Sequence, residues 1–150
     1  MHGESGFSKS YPAVAGSVAR GREDLVALAR AAGAEEQKVE AVRLAASEAL
    51  TNAVVHAYAG GAGQVHVTGA ANDGELWMLV ADDGVGLDAR VSKPGLGMGL
   101  ALIASVADYF AVVKRSSGGT EIRMRFALGA ACGSRPGYRR GSLASANAPA

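Results

Sequence analysis

Glu48, Asn52 and His56 stand four residues apart in one continuous stretch of this 150-residue chain. Read as a helix at about 100° per residue, that spacing stacks all three side chains in one row. Ala41, Leu44, Ala45 and Val55 flank the row. A carboxylate and a carboxamide set among apolar neighbours cost free energy unless they find partners, so a covered row is a place for chemistry. The row by itself reads equally well as a hydrated helix surface.

Two glycine-rich stretches lie downstream. In Asp82-Asp83-Gly84-Val85-Gly86 the glycines allow close approach of backbone to a ligand, and the first carboxylate can accept from an exocyclic amine. Many surface turns share this pattern. Gly95-Leu96-Gly97-Met98-Gly99-Leu100 opens a helix, where bare backbone N–H groups favour an anion. It lacks the Gly-Lys-Ser/Thr ending of a phosphate-binding P-loop. It also follows no βαβ strand with an acidic residue about 20 positions on, so it is not a dinucleotide fingerprint.

The elements that must hold these residues follow from periodicity. The row belongs to a long helix from about residue 35 to 58, with acids in its first turn as the helix dipole favours. Val39, Val42, Ala46, Ala49, Leu50, Ala53 and Ala57 make its broad apolar face. Glu36, Glu40, Arg43, Ser47, Thr51 and Tyr58 make its solvent side. Before it, a short edge strand at residues 7–11 is stopped by Pro12. A helix capped by Ser17 then runs to about residue 32, is weakened by Gly21, and ends at Gly33. Beyond the glycines at 60–63, residues 64–71 and 75–81 alternate as two strands around Asn72-Asp73-Gly74, a hairpin turn signal. A helix at about 97–108 and a second hairpin, 109–115 with 120–128, close the domain. Strands arriving in consecutive pairs predict an α+β two-layer sandwich, a mostly antiparallel mixed sheet with helices on one face. His66 and Trp77 read as surface and packing residues of their strands.

Hydrophobic content of 49% and charged content of 19% suit one globular domain. Residues 1–128 make that domain, and 129–150, rich in Gly, Ser, Pro and Ala, read as a disordered tail. The tail carries Arg135, Arg139 and Arg140 and no acid, which leaves 12 basic and 14 acidic residues in the body. That balance is no electrostatic footprint for nucleic acid. A single cysteine, Cys132, excludes an internal disulfide, and no Cys/His group has zinc spacing. No apolar run reaches membrane-spanning length and no signal peptide opens the chain, so the expected location is cytoplasmic.

Taken in order, Glu48-x-x-x-Asn52-x-x-x-His56, Asp82-x-Gly84-x-Gly86, Gly95-x-Gly97-x-Gly99 and Gly118-Gly119-Thr120 resemble the ATPase superfamily of gyrase, a heat-shock chaperone, histidine kinases and the MutL repair proteins. Within it, residues 47–58 are similar to the anti-sigma factor serine/threonine kinases. The resemblance spans about residues 7–128. It implies a Bergerat-type ATP-binding fold with ATP and Mg²⁺ as cofactors. It implies further that Asn52 is the metal ligand and that Asp82 takes the adenine amine. Gly84 and Gly86 would lie against base and ribose. Gly95, Gly97 and Gly99, with Met98 and Leu100, would cap the triphosphate, and Thr120 would assist near the adenine. Glu48 would orient or deprotonate the attacking hydroxyl. The implied partners are a sigma factor and a small phospho-accepting antagonist, with a homodimer common among relatives. Lys93 and Pro94 stand where relatives often carry an arginine that reaches the γ-phosphate. The alternative is therefore a nucleotide-gated partner-switching module that transfers no phosphate.

Overall fold

A computed structural model describes residues 5–57, 62–84 and 96–129. Strand β1 (Ser5–Pro12) leads into helices α1 (Ala15–Ala31) and α2 (Glu36–Thr51). A π-helical turn (Asn52–Ala57) continues α2. Strands β2 (Gln64–Asn72) and β3 (Glu75–Asp82) follow, then helix α3 (Leu96–Val106) and strands β4 (Tyr109–Lys114) and β5 (Thr120–Ala127). The sheet order is β1-β2-β3-β5-β4, and every neighbouring pair is antiparallel. The mixed character expected of the sheet is absent among the described residues.

Alternation sorts the strands into two faces. Val65, Val67, Leu76, Met78, Val80, Ile122, Met124 and Phe126 are buried against the helices. His66, Thr68, Trp77, Leu79, Arg123 and Arg125 fall on the opposite face, in register with one another across the strands. Helix α2 is the middle of the helical layer, with α1 on one side and α3 on the other. Its residues Val39, Val42, Ala45, Ala46, Ala49 and Leu50 are wholly buried. Packing on both flanks explains how polar residues of α2 come to lie inside an apolar surround.

Local chemistry sets the boundaries. Asp73 (φ 50°) and Gly74 (φ 78°) form the two-residue turn of the β2–β3 hairpin, as their residue types require. Gly33 (φ 87°) ends α1. The start of α1 differs from the sequence expectation. It begins at Ala15 with Val14 as its capping residue, and Ser17 lies inside the helix, 1% exposed. The Val14 carbonyl accepts from the Ser17 N–H, so the chain turns helical directly behind Pro12. Gly21 is the place where α1 meets α2, because a methyl there would touch the Leu50 side chain at 3.0–3.1 Å. Its helix-weakening effect is therefore exchanged for close packing.

The long helix also departs from expectation. It was to run unbroken to Tyr58, but α-geometry ends at Thr51 and a π turn begins at Asn52. A π turn closes after five residues rather than four, and such turns are rare and frequently lie at functional sites. The constant step of about 100° per residue assumed for the row therefore ends at Asn52. Tyr58 and the expected tail lie outside the described residues, apart from Gly129 at the tail's start.

Candidate nucleotide site

Four elements bring the expected residues together. Asn52 stands at the junction of α2 with the π turn, and that turn packs on β3. Asn52 is 6% exposed, and its side-chain oxygen Oδ1 is buried without a hydrogen-bond partner. An unmatched buried carbonyl oxygen is costly, so a site that leaves one invites an external partner. One helical turn earlier stands Glu48, half-buried. Its Oε2 lies so near the backbone of α3 that a methyl on Gly99 would come within 2.8 Å of it. Glycine at 99 thus makes room for the Glu48 carboxylate at the first turns of α3.

Asp82 ends β3 on the helix-facing side and is 2% exposed. Its Oδ1 accepts from the backbone N–H of Gly84 at 3.1 Å and of Thr120 at 3.4 Å. Thr120, also 2% exposed, opens β5. Gly119 before it presses so closely on β3 that an added Cβ would lie 1.9 Å from the Asp82 carbonyl oxygen. Met98 projects into solvent, and Leu100 is half-buried and packs against the core. Gly97 lies in the first turn of α3. Gly86 and Gly95 lie outside the described residues, as do Arg90, Lys93 and Pro94.

A second set of residues was not read from the sequence. Asp83 points to the opposite face of the sheet from Asp82. Its Oδ1 accepts from Arg115 Nη1 at 2.8 Å and Ser117 Oγ at 2.9 Å. Its Oδ2 lies 3.0 Å from His66 Nε2, and His66 Nδ1 lies 2.7 Å from Ser10 Oγ. A carboxylate only accepts, so Nε2–H donates to Asp83, and in the neutral imidazole Nδ1 then accepts the Ser10 hydroxyl. The bonds from His66 and Ser117 hold the Asp83 carboxyl below the usual carboxylate range against the effect of burial, and the Arg115 charge adds to them. Strict alternation along β3 was the available signal, since it sends neighbouring carboxylates to opposite faces. The register that brings Ser10, His66 and Arg115 to one place was not.

The arrangement is a buried carboxamide oxygen, a carboxylate beside a helix start, and a second carboxylate fixed between two strands. Comparison with known proteins bears on the family and the fold. The family model described as "Histidine kinase-like ATPase domain" matches residues 11–126. An anti-sigma F factor of Clostridium acetobutylicum is 33% identical over 105 residues, covering 61% of this chain and 73% of the relative. One from Shouchella clausii is 31% identical over 101 residues, 59% of this chain and 69% of the relative. A crystal structure of the RsbU and RsbW domains of a Mycobacterium tuberculosis protein superposes with a TM-score of 0.65 at 24% identity. That likeness concerns the fold, covers 83% of this chain, and takes in 32% of the other. A matching family model over most of the domain, and relatives alike across more than two thirds of their own length, make this chain a member of the histidine kinase-like ATPase domain family.

Proposed function

We propose that this protein is a cytoplasmic ATP-dependent serine/threonine kinase that acts as an anti-sigma factor, binding a sigma factor and phosphorylating a small antagonist protein. The observation that carries the reading is the buried, unpartnered Oδ1 of Asn52 one turn from Glu48. A hard oxygen donor of that kind suits Mg²⁺, which takes few protein ligands and completes its shell with phosphate and water. Bound there, the ion would neutralise phosphate charge during transfer. Asp82, fixed by two backbone N–H groups, would accept the adenine amine, with Thr120 beside it. Gly97 and Gly99, at the start of α3, would face the phosphates together with Gly95. The Glu48 carboxylate would accept the proton of an incoming serine hydroxyl at Oε. The names of the two relatives, both anti-sigma F factors, support a sigma factor as partner.

Calorimetry should find Mg·ATP and Mg·ADP bound and GTP far weaker, because the guanine carbonyl would face the Asp82 carboxylate. Equal affinity for ATP and GTP would remove the assignment of Asp82. The cognate antagonist is to be captured from the source cell with and without ATP, then offered with γ-labelled ATP. Glu48→Gln should keep ATP affinity within a few-fold and lose most of the transfer, about 10²–10⁴ in rate. Asn52→Ala should lose both. Lys93-Pro94 in place of the expected arginine favours the alternative, a nucleotide-gated switching module. A wild type that binds ATP and partner yet transfers no label would establish it.

A further inference from the structure

Asp82 and Asp83 are neighbours in sequence but do different work. Asp82 faces the helical layer, where the site is. Asp83 turns to the face of the sheet that carries His66, and bonds it there. Around Asp83 the structure gathers groups from four places in the chain. Arg115 arrives from the end of β4 and Ser117 from the β4–β5 turn; both donate to Oδ1. His66 of β2 donates to Oδ2, and Ser10 of β1 holds the imidazole from behind. The same Arg115 Nη1 also donates to the main-chain carbonyl of Asp82 at 3.3 Å. The Arg115 N–H donates to the Gly119 carbonyl at 2.9 Å, and Gly119 is the residue with no space between it and Asp82. Arg115 therefore ties the Asp82 main chain and the Asp83 side chain through its guanidinium, and the turn before Thr120 through its backbone N–H, into one assembly. Thr120 in turn donates to Asp82 Oδ1.

We propose that Asp83 is a positioning residue for nucleotide recognition: through Arg115, Ser117 and His66 it fixes the end of β3 and so aims the Asp82 carboxylate at the base. The inference rests on the reading of Asp82 as acceptor of the adenine amine. Asp83 itself touches no nucleotide. Ionised and bonded to charged and polar donors, it makes the stronger class of hydrogen bond, and bonds of that class orient a strand end well. Misplacing Asp82 by a fraction of an ångström lengthens a directional bond to the amine and leaves apolar contacts to the base unchanged.

The test compares ATP with inosine triphosphate, which carries a carbonyl oxygen in place of the amine. Calorimetric affinities are measured for the full chain with Mg²⁺. Wild type should prefer ATP by well over ten-fold, and Asp82→Ala should abolish the preference. Asp83→Ala should lower ATP affinity about ten-fold while inosine triphosphate changes by less than two-fold. Arg115→Ala should do the same, and the double variant should lose no more than either single one, as expected of one shared assembly. Asp83→Asn keeps an acceptor for Arg115 and Ser117 and should stay within about three-fold of wild type. Ser117→Ala, on an exposed turn, is the gentle variant should Asp83→Ala fail to fold; it should cut the ATP preference about three-fold.

The outcomes separate. A wild type without preference for ATP overturns the reading of Asp82 and this inference with it. A preference abolished by Asp82→Ala but untouched by Asp83→Ala, Arg115→Ala and Ser117→Ala overturns the inference alone. Equal losses of both nucleotides would mean that Asp83 only holds the fold, and would overturn it too.

Discussion

Replacing Gly119 by alanine should injure the protein at one place. The added methyl would sit 1.9 Å from the Asp82 carbonyl oxygen, 2.6 Å from its carbon and 2.8 Å from the Asp83 Cα. All three are backbone atoms, so no rotamer change relieves the clash. Ordinary contact begins near 3.4 Å, so the ends of β3 and β5 must part by about 1.5 Å. Forced overpacking costs about 1–3 kcal/mol. The 3.4 Å bond from Thr120 N–H to Asp82 does not survive that movement, which adds about 1 kcal/mol. The expected loss is about 2–4 kcal/mol, or roughly 10 °C in Tm for a domain of this size. Urea denaturation gives the first number and a melting curve the second. Nucleotide affinity should fall together with stability, since the gap opens beside Asp82. Gly16 provides the control: no atom lies within 4 Å of a methyl placed there, and Gly16→Ala inside α1 should raise stability by about 0.5–1 kcal/mol. A Gly119→Ala protein as stable as wild type would refute the close approach of these two strands.

Gly99→Ala should leave stability unchanged or slightly higher, since alanine is the better helix former, but the methyl displaces the Glu48 carboxylate; phosphotransfer to the antagonist should then fall by about ten-fold or more, and an unaltered transfer rate would place Glu48 outside the reaction. Acid should weaken the fold through carboxylates held below their usual range. The Ala127 N–H, helped by Lys38, does this to Asp108, and the Tyr11 hydroxyl, helped by Lys9, does it to Asp24. A depressed folded pKa gives stability that is complete above the unfolded value near 4 and is lost as pH falls below it. Urea midpoints should therefore be level from pH 6 to 5 and drop below about pH 4. Asp108→Asn, which keeps an acceptor for Ala127, should show the smaller drop; an equal drop would deny Asp108 its part.

The sequence revealed most where chemistry is local. Asp73-Gly74 specifies its turn by backbone preference alone, and the alternation of Leu76, Met78 and Val80 marks a buried face. Glu48 and Asn52 were legible because one helical turn is a short ruler. What escaped depends on distant partners. Gly21 looks like a helix defect until Leu50 is seen against it. Ser17 looks like a cap until the chain is seen to turn at Val14. The π turn adds a residue to one helical cycle, and a reading at constant period passes over it. His66 alternates with valines as any surface strand residue does, and only the pairing of three strands shows it between Ser10 and Asp83.

In the sheet order β1-β2-β3-β5-β4, the neighbours β3 and β5 are separated in sequence by α3 and β4. Asp82 and Thr120, 38 positions apart, meet across that pairing. Ribosomes deliver β3 well before β5. During that interval Asp82, which under the proposed function faces the base, has no opposing strand, and Arg115 has not yet arrived to hold its main-chain carbonyl. Under the proposed function, a nucleotide that needs both strands would therefore be blind to a nascent chain in which β5 has not docked. Its binding energy would then be added only to chains in which β3 and β5 are paired. On that reading, the placement of the site would make nucleotide occupancy a mark of completed β3–β5 pairing as well as a condition for activity.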